Sequence, residues 1–122
     1  MAKSVLIVED NEHLRQILAS ILCFSGYEIL EAGTGTQAIE KALAAKPKLI
    51  LLDLDLPDMT GIAAAKAIKK NSTTARIPII ACSAWTIREL REEALHAGMV
   101  DYLQKPISSK LIKAKIEEFI LP

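Results

Sequence analysis

Aromatic residues are scarce, with two Tyr, two Phe and one Trp making up 4% of the 122 residues. A ring-stacked interior is excluded, and because 51% of the chain is hydrophobic, the core must come from Ile, Leu, Val and Ala. Cysteine is nearly absent: Cys23 and Cys82 stand far apart without metal-ligand spacing and read as buried, reduced thiols. Net charge is absent too, since fifteen basic residues balance fifteen acidic ones. No global field therefore draws nucleic acid or an anionic membrane to the chain. Long apolar runs are missing as well. Val5-Leu6-Ile7-Val8, set between Lys3 and Glu9-Asp10, is too short for a signal peptide or a membrane span. These absences together predict a soluble, cytoplasmic protein without direct nucleic-acid or membrane contacts. At this length one domain over 1–122 is expected, able to bury roughly two-thirds of its unfolded surface.

What is present alternates. Val5 to Val8 is a continuous apolar run, as in a strand covered on both faces. After Asp10-Asn11, which suits a helix cap, Leu14, Ile17, Leu18, Ile21 and Leu22 recur at helical spacing until Gly26 stops the helix. Tyr27 to Glu31 reads as a second strand, followed by a turn over Gly33 to Thr36. The next helix carries Ala38, Ile39, Ala42 and Leu43 and is closed by Pro47. Leu49 to Leu52 is the third strand. A polar, turn-rich stretch from Asp53 to Gly61 leads into an alanine-rich helix ending near Lys70. Ile77 to Cys82 makes strand four, with a helix from about Thr86 to Ala97 stopped by Gly98. Val100 to Gln104 makes strand five, and Ser108 caps a last helix bearing Leu111, Ile112, Ile116 and Phe119. Five strand–helix units with near-continuous apolar strands imply an α/β domain with a parallel sheet covered on both faces. The flavodoxin-like (βα)5 order 2-1-3-4-5 is the common solution for five strands.

Ligands of such sheets bind beyond the carboxyl ends of the strands, where strand order reverses, here between strands one and three. Strand one ends in Glu9-Asp10, strand three in Asp53, strand four in Ser83 and strand five in Lys105-Pro106. Strand two ends in Glu31, outside the crevice. Two unit charges about 4 Å apart repel by roughly 4 kcal/mol at an effective dielectric of about 20, so three converging carboxylates call for a cation. Oxygen ligands without His or Cys favour Mg²⁺, which pairs one or two carboxylates with a substrate phosphate. Lys105 and Ser83 suit a phosphoryl oxygen, one by charge and the other by a hydrogen bond. A carboxylate at the metal is a competent nucleophile for an acyl phosphate.

Glu9-Asp10, Asp53-Leu54-Asp55-Leu56-Pro57, Ser83-Ala84 and Lys105-Pro106, each after the right strand, resemble the receiver domain of two-component response regulators. The resemblance spans essentially the whole chain. It implies Asp53 as phosphoacceptor, with Mg²⁺ held by Asp10, Asp53 and the main-chain carbonyl of Asp55, and by Glu9 mainly through water. It implies that Lys105 pairs with the phosphate, that Pro106 follows a cis peptide, and that Ser83 moves onto the phosphoryl group while Tyr102 changes rotamer. The donor would be a sensor histidine kinase or a histidine phosphotransfer protein. A downstream protein would dock on the face of helix four, strand five and helix five, with the chain a monomer or a weak phosphorylation-dependent homodimer. Glu-Asp stands where Asp-Asp is commoner and Ser where Thr is commoner, both conservative departures. Asp55 and Trp85 occupy positions that affect phosphoryl lifetime in the family.

Plainer readings stand beside these. Tyr102 also reads as a packed strand aromatic, and Trp85 as either a recognition residue or a lid over its loop. Arg88, Glu89, Arg91, Glu92 and Glu93 read as a solvated helix face. Asp53-Leu54-Asp55 also resembles the first motif of haloacid-dehalogenase-type phosphatases, but there the metal-binding acids follow the motif, whereas here the acidic pair precedes it. A flavin carrier of the same fold needs an anion-binding loop after strand one, where this chain puts Glu9, Asp10 and Glu12. The chain also fits a receiver fragment of a larger regulator or hybrid kinase.

Overall fold

The computed structural model describes residues 3–85 and 88–120. Each strand leads into a helix: β1 (Ser4–Val8) into α1 (Glu12–Phe24), β2 (Glu28–Ala32) into α2 (Gly35–Ala45), and β3 (Leu49–Asp53) into α3 (Gly61–Lys70). The series ends with β4 (Ile79–Ser83), α4 (Arg88–His96), β5 (Asp101–Gln104) and α5 (Ser109–Ile120). All pairings are parallel and the order is β2-β1-β3-β4-β5, as the alternation of apolar runs and helical patterns requires.

Strand alternation divides the core in two. Leu6, Val8, Ile50, Leu52, Ile79 and Ala81 face the small residues of α2, α3 and α4, among them Ala38, Ala42, Ala64, Ala65 and Ala94. On the other face Val5, Ile7, Leu49, Leu51, Ile80 and Leu103 meet Leu18 and Leu22 of α1 and Ile112 and Ile116 of α5. Twelve large side chains are almost completely buried, and all are Leu or Ile. Each contributes about 1.5–3 kcal/mol by leaving water. Among the described residues, every buried side-chain nitrogen or oxygen has a hydrogen-bond partner.

Local signals set the element ends. Asn11, Thr34 and Thr60 cap α1, α2 and α3 by accepting from Leu14, Gln37 and Ala63 backbone N–H groups, and Ser108 accepts from Leu111 at the start of α5. Each such cap is worth about 1 kcal/mol. Gly26 and Gly98 follow α1 and α4 with φ of 92° and 94°, in the left-handed region that glycine enters without strain.

Several expectations are corrected. Strand four begins at Ile79 rather than Ile77, because Pro78 has no N–H to donate to a ladder, although its carbonyl accepts from Ile50. The α1 stripe is broader than the core beneath it: Leu18 and Leu22 are buried, Leu14 and Ile21 only half-buried, and Ile17 exposed. Cys82 is buried as expected, whereas Cys23 is exposed because it lies one residue off that stripe. Helix four is described from Arg88, so its expected start at Thr86 lies outside the described residues. Among the described residues no helix is long and apolar enough to cross a membrane.

Candidate functional site

The carboxyl ends of β1, β3, β4 and β5 open on one edge of the sheet. β1 hands over Glu9 and Asp10, β3 ends on Asp53, β4 on Ser83, and Lys105 follows β5 at once. Carboxylate oxygens of Glu9, Asp10 and Asp53 lie within 4.8 Å of one another. Glu9 and Asp53 are buried, at 2% and 4% exposure, while Asp10 faces solvent. Two buried carboxylates this close need compensation, and Lys105 supplies it. Its Nζ donates to Asp53 Oδ2 at 3.0 Å and to Glu9 Oε1. Asp53 Oδ1 accepts the Asp55 backbone N–H at 3.1 Å, and Glu9 Oε2 accepts that of Asn11 at 3.1 Å.

These contacts fix the electrostatics. Burial works against the Lys105 ammonium, but the hydrogen bonds and charges of Glu9 and Asp53 outweigh it and raise its pKa. Asp10 is pushed up by its hydrogen bond with the Glu9 side chain, then by burial and by the Glu9 charge. Cys82 sits beside Asp53 in the sheet register, and burial pushes its thiol up to about 12, so it is an inert part of the floor.

The β4–α4 loop is gripped by two side chains. Ser83 is fully buried, and its Oγ accepts the Trp85 backbone N–H at 3.1 Å. Tyr102 is buried in β5, and its hydroxyl donates to the Trp85 carbonyl at 2.6 Å. The sequence reading has Tyr102 turning inward only after phosphorylation, whereas here the ring already lies inside. The Trp85 side chain is 59% exposed. Behind Lys105 the peptide to Pro106 is cis, and the Lys105 backbone N–H donates to the Ser83 carbonyl at 2.8 Å. The acids open into a cleft of about 480 Å³, walled by Leu14, Ile17, Leu18 and Ile21 of α1 and by Pro106 and Ile107.

Two residues near the acids were not anticipated from sequence. Arg15 donates to the Glu9 carbonyl at 2.8 Å and to Glu31 at 3.1 Å, tying the ends of β1 and β2 together. Asp58 accepts from Gly35 and Thr36 at the start of α2. The only signal for Arg15 was its position one turn into the first helix. Asp58 showed nothing, since its partners lie 22 and 23 residues away.

The family model for the response regulator receiver domain matches residues 5–117. The chain belongs to the response-regulator receiver family. A curated relative, the polar-differentiation response regulator DivK of Brucella anthropi, is 36% identical over 108 residues, 88% of each chain. Among solved structures, the Vibrio cholerae chemotaxis protein CheY4 superposes with a TM-score of 0.93 at 28% identity, covering 98% of this chain and 99% of that one. The receiver domain of a sensor histidine kinase from Pseudomonas aeruginosa PAO1, which has a magnesium ion coordinated in its active site cleft, gives a TM-score of 0.91 at 32% identity and 98% coverage of both chains. Receivers are phosphoryl-accepting switches of two-component systems rather than enzymes of metabolism, and the phosphatase and flavin-carrier readings fall with this membership. In this receiver the acidic cluster of Glu9, Asp10 and Asp53 is the place where a divalent cation fits.

Proposed function

We propose that this receiver is switched by transfer of a phosphoryl group onto an Asp53 carboxylate oxygen, dependent on Mg²⁺ held at Glu9, Asp10, Asp53 and the main-chain carbonyl of Asp55. The observation that carries this reading is the convergence of three carboxylates on one ammonium, with Lys105 bonded to Asp53 itself. The donor set is all oxygen and anionic, which fits a hard cation that keeps part of its water shell. Bound there, the cation offsets the charge that gathers on the phosphoryl oxygens.

The donor is a phosphohistidine on a sensor kinase or a histidine phosphotransfer protein. Its N–P bond breaks as the Asp53 O–P bond forms, and the electron pair returns to the imidazole. Lys105, already within hydrogen-bond reach of Asp53, follows the transferring oxygens. The apolar wall of α1 and Ile107 borders the approach to Asp53 and gives the donor a surface to rest on. Ser83 then exchanges the Trp85 N–H for a phosphoryl oxygen. Because Tyr102 holds the Trp85 carbonyl, that exchange pulls on the loop leading to α4, and the face of α4, β5 and α5 changes for a downstream protein. The response is a population shift, driven by phosphoryl contacts made in only one state. The receiver works in the cytoplasm, as a monomer or a weak phosphorylation-dependent homodimer, and catalyses only its own phosphorylation and dephosphorylation.

The test is labelling with acetyl phosphate, with and without Mg²⁺, read by intact mass on wild type and Asp53→Asn. One added phosphoryl group that requires Mg²⁺ and is lost in the Asn variant is the expected result. Equal labelling of Asp53→Asn would move the acceptor elsewhere and end this reading.

A further inference from the structure

Asp58 stands outside the acidic cluster, yet it is the most heavily engaged carboxylate among the described residues. Its Oδ1 accepts the Gly35 backbone N–H at 2.7 Å, and its Oδ2 accepts the Thr36 backbone N–H at 2.9 Å and the Thr36 hydroxyl at 2.8 Å. A helix start leaves its first N–H groups without intrahelical partners. In α2, Thr34 satisfies Gln37 through its side chain and Ala38 through its carbonyl, so Gly35 and Thr36 are the two left over. A carboxylate from the β3–α3 loop completes the cap.

The neighbouring residue makes the same junction by packing. A Cβ built on Gly35 would lie 2.3 Å from Met59 Cγ and 2.6 Å from its sulfur, so the Met59 side chain lies directly on the bare backbone of that glycine. Residues 58 and 59 therefore moor the loop to α2 from outside, one by charge and one by contact. Inside, the loop closes on itself through the Asp55–Thr60 bridge and the Gly61 N–H to Leu54 carbonyl bond at 2.8 Å. Asp53 is at one end of this closed segment, and Asp55 is within it.

We propose that Asp58 is a positioning residue for the switch: by mooring the β3–α3 loop to α2 it holds Asp53 and Asp55 in the arrangement that binds the divalent cation. This rests on the cation-dependent reading of the acidic cluster above. Asp58 offers nothing to Asp53 directly and acts through the loop between them. The backbone and hydroxyl donors of Gly35 and Thr36 hold its carboxyl at a pKa of about 2, so the mooring is charged throughout the neutral range.

The experiment measures Mg²⁺ affinity by calorimetry, with the metal alone as titrant, alongside the melting temperature of each variant. Asp58→Asn is expected to weaken Mg²⁺ binding about 10-fold, the low end for partners that orient metal ligands, and Asp58→Glu to restore part of the loss. Gly35→Ala displaces Met59 without changing charge and should weaken binding in the same direction. Thr34→Ala removes a cap from the same helix end without touching the loop; it should lower the melting temperature and leave Mg²⁺ affinity alone. Asp58→Asn with wild-type affinity, or Thr34→Ala losing affinity as much as Asp58→Asn, would overturn the proposal. A wild-type protein that bound no Mg²⁺ would instead overturn the cation-dependent reading on which it rests.

Discussion

The loops after β3 and β4 leave the sheet side by side, yet they are fastened by different kinds of contact. The β3–α3 loop is held by backbone: the Asp55–Thr60 bridge, the Gly61–Leu54 bond and the Asp58 cap on α2. Its end is tight enough that a Cβ on Gly61 would meet the Asp53 carbonyl oxygen at 2.3 Å. The β4–α4 loop is held at Trp85 by two hydroxyls, Ser83 and Tyr102. A hydroxyl can turn to another acceptor or donor, while a backbone ladder gives way only with its whole segment. One side of the site is thus built to keep its shape, and the other to change partners.

The contrast can be broken most severely at its rigid side. Gly61→Ala forces β3 and α3 apart and should cost about 1–3 kcal/mol, the usual penalty for overpacking, with Mg²⁺-dependent labelling falling as well. Urea denaturation and intact mass would measure the two effects, and a variant as stable as wild type would mean the close approach relaxes freely. Next in size, Tyr102→Phe and Ser83→Ala each remove one bond from Trp85, worth about 1 kcal/mol apiece. Both should shift the emission of the single tryptophan, and Tyr102→Phe should leave Mg²⁺ affinity unchanged; an affinity loss there would show that the two loops are not independent. The smallest effect is on pH. The Asp58 pKa is lowered from 3.8 to about 2, so its stabilisation is complete above the unfolded value and is lost as pH falls through the folded one. Chemical denaturation at a series of pH values should find wild type more stable than Asp58→Asn at neutral pH and the two converging towards pH 2.

The rigid side was legible in sequence only in part. Strand order followed from continuous apolar runs such as Leu49 to Leu52, which need cover on both faces, and the acids followed from reading the last residue of each strand. That method sees what a strand delivers to the sheet edge. It cannot see Asp58 reaching α2, because a carboxylate in a turn-rich stretch has many local uses and its real partners are set by how two helices pack. Arg15 was hidden in the same way, its target being a main-chain carbonyl rather than a charged side chain that a pattern could pair with it. Tyr102 was placed correctly on its strand, but whether its ring lies inside is a rotamer, and periodicity carries no rotamer. Ile17 and Cys23 show the remaining gap: a helix stripe marks what could be buried, and only the width of the opposing sheet decides how much of it is.

Lys105 gives the site a logic of its own. Three carboxylates, Glu9, Asp10 and Asp53, face one ammonium, so the protein's own groups there sum to two net negative charges (three minus one). An anion that arrives alone meets repulsion, and a dication that arrives first reverses it. The cluster therefore imposes an order of arrival, and a signal written on Asp53 records two events in sequence, a cation seated and then a donor engaged, so the receiver works as a coincidence gate.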